Sequence, residues 1–292
     1  MSNGVLLLAH GTPDSLDEMA CYLTMVRGGR PPSEELVAEL KRNYGAIGGR
    51  SPLTDITRAQ ARALERELGQ DTPVFVGMRN WRPFIADALG DAHRAGITSL
   101  VALPLAPQYS ELSVGKYKAA VESTRPSGVS VRFVESWHDH PGLIAAFAER
   151  VSAALAGGRA DAIFFTAHSL PVRVVEAGDP YVDHVRTTAE GIAERLSIAS
   201  FEIAYQSAGR TPEPWLGPSL EEALGAASQR GCARILVVPV SFVCDHTEIL
   251  YDFDFQAQAA ARELGVTLVR SESLNTSELF IAALADIVRH HA

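Results

Sequence analysis

Ile163-Phe164-Phe165-Thr166-Ala167-His168-Ser169-Leu170-Pro171 runs from an apolar stretch into an imidazole and then a Ser/Pro helix start. Val5-Leu6-Leu7-Leu8-Ala9-His10-Gly11-Thr12-Pro13 reads the same way near the start of the chain. A strand that delivers a titratable side chain at its carboxyl end marks the rim where open α/β sheets keep their ligands. Two such runs in one chain point to a duplicated unit.

Each half then offers three more β-type runs: 72 to 79, 99 to 110 and 129 to 136, and 201 to 207, 234 to 243 and 266 to 273. The third run of each half carries a Pro (Leu103-Pro104 and Val238-Pro239). Proline cannot donate to a ladder, so each marks a strand end or an irregularity. Segments of helical period lie between the runs. Ser15-Leu16-Asp17-Glu18 has capping-box spacing, with its helix expected to end at Gly28-Gly29. Further helices are expected at about 34 to 44, 54 to 68, 83 to 95, 141 to 156, 182 to 197, 219 to 230, 247 to 264 and 277 to 290. Strands that alternate with helices imply parallel sheets joined by right-handed crossovers. The expected fold is therefore α/β: two similar Rossmann-like lobes, residues 1–140 and 141–275, each with about four parallel strands flanked by helices. A cleft lies between them, and a C-terminal helix, 276–292, packs back across the lobes.

The 292 residues are 47% hydrophobic, ample for a buried core, and carry a net charge of −9. That charge argues against nucleic acid, whose phosphates want a basic stripe, and against a general membrane-surface role. No apolar stretch is long enough to span a bilayer, and Met1-Ser2-Asn3-Gly4 lacks the basic start of a signal peptide, so a cytoplasmic protein is expected. Cys21, Cys232 and Cys244 form neither a disulfide framework nor an iron–sulfur set, and Cys244 reads as a small buried filler. There is no G-x-G-x-x-G, no P-loop and no G-x-S-x-G elbow.

His10 and His168 hold matching strand-end positions, which outweighs the ordinary reading of a turn-stabilising histidine. Glu248 has two readings. Asp245-His246-Thr247-Glu248 has the spacing of a capping box, which would make the glutamate a helix start. Glu248, Asp252 and Gln256 also recur every four residues and would line one helix face, an acidic row that a divalent cation could follow inward. Arg27 and Arg30 flank Gly28-Gly29 where guanidinium forks could take ligand carboxylates.

These stretches together resemble the ferrochelatases, nearly end to end. The matching residues are Gly11-Thr12-Pro13, Tyr44 with Ala46-Ile47-Gly48-Gly49 and Ser51-Pro52-Leu53, Ala167-His168-Ser169-Leu170-Pro171, and Gly178-Asp179-Pro180-Tyr181. To these are added Gln206-Ser207, Pro214-Trp215-Leu216-Gly217-Pro218, and Asp245-His246 with Glu248 and Leu250-Tyr251-Asp252. The resemblance implies two lobes around a porphyrin, insertion of Fe²⁺ as a substrate, and no required cofactor. It implies that His168 and Glu248 handle the metal and the pyrrole protons, and that Arg27, Tyr44, Ser51 and Tyr117 contact the porphyrin or its propionates. Asp252 would lie on the metal's path inward. Arg27-Gly28-Gly29-Arg30-Pro31-Pro32 is similar to the coproporphyrin III enzymes. No apolar lip like that of many protoporphyrin IX enzymes is evident. The alternatives are a protoporphyrin IX enzyme, a chelatase for another tetrapyrrole, or a haem carrier. A haem-pathway enzyme would be a transient partner.

The chain departs from the family pattern at three positions. Coproporphyrin-type enzymes commonly have an axial Tyr ligand where this chain has His10, which implies an imidazole ligand to the product iron. Gln256 stands where the acidic row often continues. Asn43 takes a place that can hold Arg.

Overall fold

The computed structural model describes residues 3–69 and 71–292. The first half forms β1 (Asn3–Ala9), α1 (Met19–Val26), α2 (Glu34–Ala46), α3 (Leu53–Leu68), β2 (Val74–Met78), α4 (Ile85–Arg94), β3 (Ser99–Pro104), α5 (Lys116–Thr124) and β4 (Ser130–Phe133). The second half forms α6 (Pro141–Ala156), β5 (Ala162–His168), α7 (Val172–Glu176), α8 (Tyr181–Leu196), β6 (Glu202–Gln206), α9 (Leu220–Gln229), β7 (Arg234–Pro239), α10 (Gln258–Glu263), β8 (Thr267–Arg270) and α11 (Glu278–His291).

The strands make two sheets, ordered β2-β1-β3-β4 and β6-β5-β7-β8, with every pairing parallel. The duplicated pattern is thus a duplicated topology, with each Ala-His run at an inner position of its sheet. Side chains alternate across a strand, and the alternation sorts the cores. Val5 and Leu7 of β1 and Phe165 and Ala167 of β5 enter one apolar cluster shared by both sheets, α3, α6, α8 and α11. Leu6 and Leu8 face α4 and α5, and Phe164 faces α9 and α10. A fourth, smaller cluster joins α1 and α2 through Met19, Tyr22, Leu23, Tyr44 and Trp81. The C-terminal α11 packs on α3, β3 and α6.

Both flagged prolines end their strands, Pro104 opposite Leu8 and Pro239 opposite Thr166. The apolar residues beyond them, expected to prolong β3 to 110 and β7 to 243, turn away instead. Among the described residues no helix is long and apolar enough to cross a membrane.

Two expectations are corrected, and one helix was not expected. Ser15 makes no capping bond; a single tight turn at Leu16–Glu18 precedes α1, and the Glu18 carboxylate reaches back to the Asp14 amide (3.0 Å). The expected 247 to 264 helix begins as a π-helix, Ile249–Ala257, before narrowing into α10. Gln256 is exposed on it. The segment after β3 does the same on a smaller scale: π-helical Glu111–Gly115 opens α5, a helix the sequence did not suggest because Gly115 and two serines interrupt it. Wide π turns are costly and concentrate at functional sites, and here each follows the third strand of its sheet.

Candidate active site

A cavity of about 350 Å³ opens between the carboxyl ends of the two sheets. His10 reaches it from the end of β1. Gly11 makes that possible: its φ is +85°, and a Cβ there would meet the Trp81 amide nitrogen at 2.8 Å. The His10 carbonyl accepts from the Asn80 amide (2.9 Å), and the Asn80 side-chain Nδ2 lies 3.0 Å from His10 Nε2 and 3.3 Å from Nδ1. Burial first, and then the Arg79 guanidinium, push the imidazole down to about 4. It is therefore neutral at pH 7.

On the other wall His168 Nδ1 sits 2.6 Å from the Ser169 carbonyl oxygen, and its backbone amide donates to Ser241 Oγ (3.1 Å). A carbonyl only accepts, so Nδ1 carries a proton, and Nε2 holds the lone pair of the neutral ring. That Nε2 is 3.6 Å from Glu248 Oε2, a buried oxygen with no hydrogen-bond partner among the described residues. Burial pushes the Glu248 carboxyl up, but His168, His246, His10 and the Ser207 hydroxyl outweigh it and hold the group below the ordinary carboxylate value. The pair sets an imidazole nitrogen that can take a proton beside a carboxylate with free acceptor capacity.

The capping-box reading of Glu248 fails. Asp245, which would open the box, is held by Ser273 Oγ (2.7 Å), Asn275 Nδ2 (2.8 Å) and Arg270. Glu248 stands at the start of the π-helix without reaching back. Asp252 lies behind it, outside the cavity lining, accepting from Ser207 Oγ. Burial pushes the Asp252 carboxyl up to about 7, and Glu248 adds to the rise.

Tyr44 and Tyr117 line the cavity, and burial raises both phenols to about 12. Cys244 also lines it as a thiol raised to about 12 by burial. Two further sequence candidates are absent from the lining. Arg27 is exposed beyond the end of α1, and Ser51 is buried, its Oγ accepting from the Leu53 amide (3.4 Å) at the start of α3.

Several lining residues were given no site role from the sequence, chief among them Arg79, Tyr22, Gln108, Ser113, Trp215 and Thr247. Arg79 donates to the Leu112 carbonyl (3.3 Å) and lies over the Tyr117 ring, 5.5 Å from its centroid. A signal existed for it: Arg79 follows β2 on the same carboxyl rim that exposed the two histidines.

Two parallel sheets of equal order, with an imidazole from the first strand of each on one cavity, define a two-lobed α/β protein with its site at the carboxyl ends of both sheets. The structure is similar to that of SirB from Bacillus subtilis with Fe³⁺ (TM-score 0.62, 13% identity, covering 100% of this chain and 96% of that one). It is also similar to the sirohydrochlorin chelatase SirB from Bacillus subtilis subspecies spizizenii in complex with cobalt (TM-score 0.58, 13% identity, 100% and 96% covered). At such identity the likeness concerns the fold. The ferrochelatase family model matches residues 2–292. The chain is 42% identical over 303 residues to the ferrochelatase of Deinococcus radiodurans (99% of this chain, 96% of the relative). It is 44% identical over 311 residues to that of Thermus thermophilus (97% and 98%), and 38% identical over 298 residues to the coproporphyrin III ferrochelatase of Bacillus subtilis (98% and 96%). The chain belongs to the ferrochelatase family and is a porphyrin metal chelatase of the lyase class.

Proposed function

We propose that this ferrochelatase inserts Fe²⁺ into coproporphyrin III in the cytoplasm, with His168 and Glu248 as its catalytic pair. The observation that carries the mechanism is the 3.6 Å meeting of His168 Nε2 and an unpartnered Glu248 carboxylate oxygen on the cavity wall. As Fe²⁺ enters the macrocycle, two N–H protons leave and the charge balances. His168 Nε2 takes a pyrrole proton and Glu248 receives it, with Ser207 and Asp252 next in line toward solvent. The same pair offers the incoming iron one nitrogen and one oxygen donor, and the porphyrin nitrogens supply the rest. His10, neutral on the opposite wall, is the axial ligand of the product iron.

The substrate assignment leans on carboxylate recognition. Arg79 on the wall contacts a carbonyl and a phenol ring, leaving a cation for a ligand carboxylate, and Arg27 and Arg30 extend positive charge outside the cavity. Four carboxylates on coproporphyrin suit this better than two. The relative from Bacillus subtilis carries the coproporphyrin III name. A second reading, protoporphyrin IX, is favoured by Met25 and Val26, which are exposed beside Arg27 as a small apolar patch.

Anaerobic mixing of the protein with Fe²⁺ and either porphyrin, followed by metalloporphyrin absorbance, separates the two. The expected result is a higher kcat/KM for coproporphyrin III. Equal or better turnover of protoporphyrin IX would overturn the substrate assignment, and no turnover of either would overturn the mechanism.

A further inference from the structure

Four consecutive residues of the first lobe are hydrogen-bonded in turn to the first half of α8 and the segment just before it in the second. Gln108 Nε2 donates to Thr188 Oγ1 (3.0 Å), the Tyr109 amide to His184 Nδ1 (3.1 Å), Ser110 Oγ to Asp179 Oδ2 (3.0 Å) and the Glu111 amide to the same Oδ2 (2.8 Å). The rungs run antiparallel, 108 to 111 against 188 to 179. Asp179 closes the ladder, its other oxygen accepting from the Tyr181 amide (3.1 Å).

The position of that carboxylate gives the ladder its consequence. Ser110 is fully buried and precedes the π-helical Glu111–Gly115; its hydroxyl donates to Asp179 while accepting from the Leu112 amide (3.2 Å). Asp179 therefore supplies, from the other lobe, the negative charge and the acceptor that this helix start requires. Leu112 and Ser113 on that turn line the cavity, as does Tyr117 one turn on, and Arg79 is tied to the Leu112 carbonyl. Tyr181, whose amide Asp179 also holds, lines the cavity from the opposite side. One carboxylate anchors both walls.

We infer that Asp179 is a positioning residue for porphyrin binding, setting the separation of the wall that carries Leu112, Ser113 and Tyr117 from the wall that carries Tyr181. It lies outside the cavity lining. Its loss lets the π turn drift, and contacts made equally to substrate and transition state are weakened together. Such a loss raises KM and leaves kcat.

The test uses the full-length protein and whichever porphyrin the wild type metallates, so that a failure of the coproporphyrin assignment is read separately in the wild type. For Asp179→Ala the expected result is a porphyrin KM raised about tenfold, the size of one lost charged hydrogen bond, with kcat and the KM for Fe²⁺ within about twofold. Asp179→Asn keeps one carboxamide oxygen for the Glu111 amide and should rescue part of the loss. Ser110→Ala removes the receiving hydroxyl and should raise the porphyrin KM in the same direction, and it decides the matter if Asp179→Ala does not fold. An unchanged porphyrin KM in Ser110→Ala, or in Asp179→Ala with only a lowered Tm, would overturn the inference. So would a fall in kcat at unchanged porphyrin KM.

Discussion

Replacing Glu248 by Gln tests the catalytic pair most directly, because the amide keeps shape and removes charge. When His168 has taken a pyrrole proton, an imidazolium stands 3.6 Å from the Glu248 carboxylate. At an effective dielectric of about 20 that attraction is about 4 to 5 kcal/mol. The side chains are 33% and 41% exposed, so screening by cavity water takes at least half, leaving about 2 kcal/mol. An interaction present only after proton transfer acts on kcat, and 2 kcal/mol is a factor of about 30. The relay itself is also lost, which adds to that factor. Anaerobic turnover measured beside a thermal melt separates this from a structural role. A glutamate that merely started a helix would cost about 1 kcal/mol of stability or less and leave kcat alone. Near-normal kcat in Glu248→Gln would refute the relay.

His10 ligation is expected to show in the ferric product complex: a phenolate charge-transfer band should arise only in His10→Tyr, and EPR spectra identical for wild type and His10→Ala would remove His10 from the iron. A pH effect on stability should come from the stacked pair His138 and His184, whose ring centroids lie 3.7 Å apart. Burial first lowers both imidazoles below 6.5, with mutual repulsion adding to it at His138. Folded values below the unfolded one mean that the unfolded chain binds more protons, so stability is full above about pH 6.5 and is lost as pH falls below it. Melting curves from pH 8 to 5 check this, and a Tm fall that is no smaller in His138→Gln would assign the effect elsewhere.

Topology and the two strand-end histidines were legible in the sequence because they rest on local signals: apolar runs, Ala-His ends and the two prolines. Those signals carry no information about width. The expected 247 to 264 helix had the right place and the wrong pitch, and the residues beyond Pro104 and Pro239 looked like strand because they are apolar. They are apolar because they line a cavity. Arg79 was missed for a related reason, since its importance lies in what it faces, Leu112 and Tyr117 from another crossover. Conversely, Arg27, read from its glycine turn as well as by resemblance, and Ser51, named by resemblance, lie outside the cavity lining, one on the surface and one serving the start of α3.

The shared cluster of Val5, Leu7, Phe147, Phe165 and Phe280 has a mechanical meaning. Swinging the sheets apart like the covers of a book would bare those rings. At about 25 cal/mol per Å² and roughly 200 Å² per ring, each would cost about 5 kcal/mol, so two or three would exhaust the stability of an ordinary domain. Opening the lobes by a hinge would therefore be costly. The α1–α2 pair stands on its own small cluster of Met19, Tyr22, Leu23, Tyr44 and Trp81, and two of those rings, Tyr22 and Tyr44, face the cavity. Whatever yielding the passage of a macrocycle demands falls to that flank, while the body of the protein stays a rigid jaw.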